Sequence, residues 1–185
     1  SFLSSSIVKE VAKYQSDVEV LPHGEIGRKY YAMGGVRSEL GVPVTEEADA
    51  ANGGRWQQFA GGMILWHADT GAFPVWGRIL DHFRDTGSEG RWGYPLIDEL
   101  DAGVSPASGQ RGKFQYFEDG LFLWTPATDA HAIHGAILAY FEANGREEAL
   151  GYPLGDEDAH GSDGRKQRFE QTTLYWTPAN GVWAD

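Results

Sequence analysis

The chain has 185 residues, 41% of them hydrophobic and 23% charged, which suits one globular domain or a small array with a real core and excludes a disordered segment. With 27 Asp and Glu against 15 Lys and Arg, the formal net charge of −12 repels phosphate backbones and argues against a nucleic-acid partner. No apolar run approaches membrane-spanning length, so no membrane insertion is expected, and the absence of cysteine removes disulfides, thiolate catalysis and zinc–cysteine sites without locating the protein. A start at Ser1 without a methionine reads as a processed mature chain or an excised segment. The 25 glycines, set among 7 Trp, 8 Tyr and 9 Phe, fit short strands joined by tight turns.

Residues 1–22 stand apart from the rest of the chain. In "SIVKEVAKY" the spacing of Ile7, Val11 and Tyr14 is helical and Pro22 closes the segment, which makes it a lead-in helix or a linker. Three units then occupy about 23–76, 77–134 and 135–185. Each opens on a glycine and an amphipathic stretch: "GEIGRKYYAMGG" from Gly24, "GRILDHFRDTG" from Gly77, "GAILAYFEANG" from Gly135. Ile26 and Tyr30, Ile79 and Phe83, and Ile137 and Phe141 lie four apart on one helical face, and Gly34, Gly87 and Gly145 fall where left-handed C-caps belong.

A Gly-x-Pro turn comes next, at Gly41–Pro43, Gly93–Pro95 and Gly151–Pro153, with an acidic pair behind each. The polar loop after it is longer in the second unit, where "GVSPASG" reads as a surface insertion. A hairpin closes each unit: "RWQQFAGGMILW" ending at Trp66, "KFQYFEDGLFLW" at Trp124 and "RKQRFEQTTLYW" at Trp176. The predicted fold is α+β and strand-dominated, a pseudo-symmetric array of three helix-plus-hairpin repeats. The repeats are expected to close on one another, since an open array would leave hairpin edges unpaired.

The run of Leu-Gly-Tyr-Pro, acidic pair, Phe, Trp and "TDAHAIHGAI" resembles the LGFP repeat of mycolic-acid-containing actinobacteria, over roughly residues 23–185. Trp92 stands where the repeat has leucine, and the third hairpin lacks a turn glycine. The resemblance implies a secreted or cell-wall-associated protein that binds wall polysaccharide, arabinogalactan or peptidoglycan, and anchors a linked catalytic domain in the full-length protein. It also implies a role for His131, which matches the histidine of the repeat and suits local hydrogen bonding better than catalysis.

Three sets of repeat-equivalent residues are the candidate ligand-binding groups. The first is the acidic pairs, represented by Glu47, Glu99 and Glu157, with Arg55, Lys113 and Arg165 four residues before each Phe as ion-pair partners or sugar contacts. Adjacent carboxylates in a turn point different ways, which argues against a glycosidase dyad at roughly 5–9 Å. The second is Gln57, Gln115 and Gln167, whose amides suit vicinal hydroxyls or the tying down of a loop. The third is Trp66, Trp124 and Trp176, read as core first and as sugar-stacking platforms second, whereas Trp56, Trp76, Trp92 and Trp183 vary between repeats and are freer to be exposed.

No nucleophile elbow, phosphate loop or dinucleotide fingerprint occurs, and neither a cofactor nor a metal is expected. The leading expectation is non-catalytic binding of cell-wall polysaccharide. A hydrolase using one acidic pair and an envelope protein–protein interaction module are the alternatives. Three chemically matched units favour a binder, because a catalyst needs one unit to differ.

Overall fold

The computed structural model describes residues 20–185, so the helix expected around Ile7–Tyr14 lies outside the described residues. The chain folds as two compact units that divide between Pro74 and Val75. The first repeat runs through α1 (Gly24–Ala32), a 3-10 turn (Gly35–Arg37), β1 (Ala48–Asp49), β2 (Arg55–Phe59), β3 (Gly62–His67) and β4 (Gly71–Trp76). The second comprises α2 (Gly77–Asp85), α3 (Ser88–Trp92), β5 (Leu100–Val104), β6 (Arg111–Phe117), β7 (Gly120–Thr125) and β8 (Asp129–Ile133). The third comprises α4 (Gly135–Ala143), α5 (Arg146–Leu150), β9 (Asp158–His160), β10 (Gly164–Arg168), β11 (Thr173–Thr177) and β12 (Gly181–Ala184).

Each repeat is therefore larger than a helix and a hairpin. Its sheet is a four-stranded antiparallel meander, β1-β2-β3-β4, β5-β6-β7-β8 or β9-β10-β11-β12, with the expected hairpin as its two central strands. Both edges of every hairpin are paired within its own sheet, and none of the three sheets is closed.

The long helices form where the sequence places apolar residues on one face. Ile26 and Tyr30, Ile79 and Phe83, and Ile137 and Phe141 are all buried. Each helix stops at its glycine, since Gly34, Gly87 and Gly145 have φ of 110°, 117° and 90°. The chain then turns into a second short helical piece in every repeat.

One aromatic of each long helix stacks on the hairpin Phe of the same repeat. Tyr30 lies 4.8 Å from Phe59, Phe83 4.8 Å from Phe117, and Phe141 5.3 Å from Phe169, with interplanar angles of 23–24°. The backbone of the same Phe bridges the turn proline, at Pro43–Phe59, Pro95–Phe117 and Pro153–Phe169. Helix, turn and sheet thus meet on one residue.

The tyrosine of "LGYP" explains part of the repetition. Tyr152 is fully buried; its hydroxyl donates to the Gly103 carbonyl (2.6 Å) and accepts from the Gly112 N–H (2.9 Å), both on the second repeat's sheet. Glu170, just after Phe169, accepts from the Tyr152 N–H and from the Ser105 hydroxyl. The "GVSPASG" insertion is only partly surface, since Ser105 is 1% exposed. The first repeat carries Val42 at the tyrosine position, and it is exposed. A single core continues from Leu121, Leu123 and Ile133 of the second repeat into Ile137, Phe141, Phe169 and Leu174 of the third.

The turn glycines follow from the same packing. Gly93 (φ 69°, ψ −164°) and Gly151 (φ 81°, ψ 174°) occupy a backbone region essentially reserved for glycine. A Cβ on Gly151 would also meet the Glu170 Cβ at 2.5 Å. Gly151→Ala is expected to lose about 1–3 kcal/mol from backbone strain alone. Gly155→Ala, where a Cβ meets nothing within 4 Å, should stay within about 0.5 kcal/mol of wild type. Urea unfolding of the two variants checks the difference.

Candidate functional site

The hairpin register brings the basic and aromatic candidates together. Arg55 pairs with Trp66, Lys113 with Trp124 and Arg165 with Trp176 across the central strands, side by side on one sheet face. The acidic residue reaches the same corner from the loop behind the Gly-x-Pro turn. Arg55 Nε donates to Glu47 Oε1 at 2.7 Å, and Arg165 Nε lies 3.4 Å from Glu157 Oε1. Both carboxylates are mostly covered, at 13% and 14% exposed.

In the first and third repeats these residues line equivalent recesses at the start of the long helix. One, of about 190 Å³, is bounded by Gly24, Glu25, Ile26, Glu47, Arg55 and Trp66. The other, of about 220 Å³, is bounded by Gly135, Ile137, Glu157, Arg165 and Trp176, with His134 at its rim. Each combines an indole, a guanidinium and a carboxylate on an aliphatic floor. Both are below the roughly 300–1,000 Å³ of sites for drug-sized ligands, which fits a ligand of about one ring.

The second repeat is a variant. Lys113 replaces the arginine and pairs with Asp101 as Arg55 does with Asp49, and the Trp76 indole N–H donates to Glu99 Oε1 at 3.1 Å. Trp76 stands at the position of His23 and His134, which lie 3.7 Å from Glu47 and 3.6 Å from Glu157. This residue, immediately before each helix glycine, belongs to the corner and was outside the expected set. Its signal was the dipeptide His-Gly, Trp-Gly, His-Gly at the start of the three helices.

The glutamines do not join this surface. Gln57, Gln115 and Gln167 are 1%, 0% and 1% exposed, pointing into the fold opposite Ile64, Phe122 and Leu174. Their amides donate to the Thr45, Ile97 and Gly155 carbonyls in the loop behind each turn. Gln57 also bonds Val20, and Gln167 also bonds Ala132 on β8. The amide therefore ties down a loop, and contact with vicinal hydroxyls is ruled out by burial.

Trp66, Trp124 and Trp176 are half-buried rather than fully enclosed in the core. Trp92, expected to be freer, is 4% exposed; it packs edge-on against Phe122 and its N–H donates to the Thr86 hydroxyl.

His131 takes the local role expected of it. Its Nε2 lies 2.9 Å from the Thr128 carbonyl, and its Nδ1 faces Asp156 Oδ1 at 3.5 Å. His134, three residues on, faces Glu157 instead, so the acidic pair of the third repeat divides between the two histidines. His82 Nε2 reaches both Asp156 oxygens at 2.8 and 2.9 Å, and the Ala132 N–H donates to Oδ1 at 2.9 Å. Burial alone would raise the Asp156 carboxyl, but the adjacent His131 and His82 imidazoles and the Ala132 N–H together outweigh it and hold the group well below the usual carboxylate range.

Fold and site together define a tandem-repeat protein whose repeats each pair a helix with a four-stranded sheet and present equivalent corner positions. The family model for the LGFP repeat matches at residues 40–90, 93–148 and 150–184, and the chain belongs to the LGFP-repeat family. The family frame starts at or just before the Gly-x-Pro turn and in its first two copies runs into the next long helix, one helix out of step with the packing unit. Comparison with curated proteins finds no match.

Because the Gln167 amide serves two buried carbonyls, Gln167→Ala should cost about 1–3 kcal/mol by stranding them. Ligand binding at 25 °C should stay within about twofold of wild type, since the side chain does not reach the recess. Chemical denaturation and a binding titration on the same sample separate the two effects.

Proposed function

We propose that the chain is a non-catalytic module that binds cell-wall polysaccharide through the helix-start recesses, with the first and third repeats as matched sites and the second as a variant. The observation that carries this reading is the recurrence of one indole, one guanidinium and one carboxylate around a ring-sized recess in two repeats. Apolar C–H faces of a sugar stacked on Trp66 or Trp176 leave water at about 25 cal/mol per Å². The ion-paired carboxylate and guanidinium offer acceptors and donors to the hydroxyls at the ring edge. Arabinogalactan or peptidoglycan is the substrate class that the family resemblance favours, with the chain serving as the anchor of a secreted or wall-associated protein.

A hydrolase is less well supported. Glycoside cleavage needs two carboxyls flanking one bond at roughly 5–9 Å. In the third repeat the adjacent pair diverges: Asp156 turns to His82 and the Ala132 N–H, and Glu157 to Arg165 and His134. In the first recess Glu25 pairs with Arg28 and Glu47 with Arg55, and in the third the carboxylate of Glu157 pairs with Arg165, so each is already engaged by a guanidinium.

Weak sites repeated on one chain suit a polymer that repeats its sugar. A single shallow site near millimolar is worth about −4 kcal/mol, and linking sites raises avidity by roughly 10² or more without a new contact. The protein should sediment with mycolate-type cell walls and release no reducing sugar from them. Arg55→Ala and Arg165→Ala should each weaken wall binding modestly, and the double variant should lose roughly 10² in apparent affinity while remaining folded by circular dichroism. Release of reducing sugar, or full retention by the double variant, contradicts the proposal.

A further inference from the structure

Outside the recesses, one side-chain cluster has a composition that its repeat equivalents lack. His82 on α2 and His131 on β8 belong to the second repeat, and Asp156 follows the Gly-x-Pro turn of the third. The same helix and strand positions hold Lys29 and Phe73 in the first repeat, where the ammonium lies 5.2 Å from the ring centre. In the third repeat they hold Tyr140 and Trp183. Only here, among the described residues, do two imidazoles converge on a carboxylate.

The geometry is that of a ligand set. One donor atom from each residue lies within 4.8 Å of the others. His82 Nε2 is 2.8 Å from Asp156 Oδ2, and His131 Nδ1 is 3.5 Å from Oδ1. Donors about 2.0–2.2 Å from a tetrahedral zinc-sized ion lie roughly 3.3–3.6 Å apart, so the looser pairs contract and the His82–Asp156 pair opens by a fraction of an ångström.

Outer partners already orient two of the three groups. The Thr128 carbonyl takes the Nε2 side of His131, which directs the Nδ1 lone pair at the cluster. That Nδ1 is buried and has no hydrogen-bond partner. The Ala132 N–H holds Asp156 Oδ1 and leaves Oδ2 toward His82. Phe122 packs edge-on beneath His82 at 5.7 Å and supplies an apolar wall. Side chains that are 20%, 20% and 35% exposed leave room for water to complete the coordination.

We propose that His82, His131 and Asp156 form a site for one divalent transition-metal ion of the zinc class, which clamps the third repeat to the second. Two imidazole nitrogens favour zinc, nickel, cobalt or copper over calcium and magnesium, which take oxygen ligands. An ion held from both repeats adds its binding free energy to their docking.

The test uses the full chain, stripped with chelator and titrated calorimetrically with zinc chloride, alongside cobalt(II) absorption and histidine ring NMR signals. Expected are one zinc per chain, cobalt d–d bands of a low-coordinate nitrogen site, zinc-dependent shifts confined to the His82 and His131 rings, and a higher midpoint of thermal unfolding. His82→Gln and Asp156→Asn should each weaken binding by roughly 100-fold, while His67→Gln, in the first repeat, should not change it. The proposal is overturned if wild type takes up no zinc, if binding survives both substitutions, or if the shifts fall on other histidines. Should the variants fail to fold, the ring shifts of wild type decide the matter alone.

Discussion

A phenylalanine that closes the first hairpin strand carries the architecture. In each repeat its ring stacks on an aromatic of the long helix while its backbone bridges the turn proline, so three chain segments meet at Phe59, Phe117 or Phe169. Removing such a fully packed ring typically costs about 3–5 kcal/mol, a large share of a domain's total stability. Everything nearer the surface takes its position from this point. The basic residue lies four positions before the Phe and the Trp seven after it, and the acidic residue follows the proline by four. The stack therefore fixes the corner in every repeat, and the residues that line it make a matched recess in the first and third.

Repetition has a second consequence between the repeats of the larger unit. Tyr152 of one turn satisfies backbone groups on the preceding sheet, Glu170 caps that turn and holds Ser105, and Gln167 secures Ala132. Much of the chemical signature that recurs along the chain is thus mortar between neighbours. The first repeat shows the converse, since its turn position carries an exposed valine in place of the tyrosine. The residues that remain for a ligand are few: an indole face, a cation and the carboxylate bound to it.

The helices, their glycine stops, the hairpin register and the family were legible because each rests on local spacing: four residues for a helix face, two for a strand, glycine where φ is positive. The outer strands were less so. β1 and β9 are two and three residues long and polar, which leaves no alternation to detect. The glutamines pointed the wrong way for a related reason: an amide at a repeat-invariant strand position serves a sugar hydroxyl or a backbone carbonyl equally well, and only burial separates them. Trp92 misleads because a tryptophan replacing leucine looks like an addition to the surface, whereas it fills the leucine's buried site and finds Thr86 for its N–H. The His82–Asp156 contact spans 74 residues and two repeats, beyond the reach of any local pattern.

The central claim is that the repeated frame presents a matched recess rather than one unique site. The seven indole N–H signals of the chain report on this directly in a nitrogen-15 NMR titration with a short arabinogalactan fragment. The account predicts that the Trp66 and Trp176 signals shift together with a common millimolar-range midpoint, while that of the buried Trp92 stays in place. Perturbation of a single indole, or of Trp92 in place of the recess tryptophans, would contradict it.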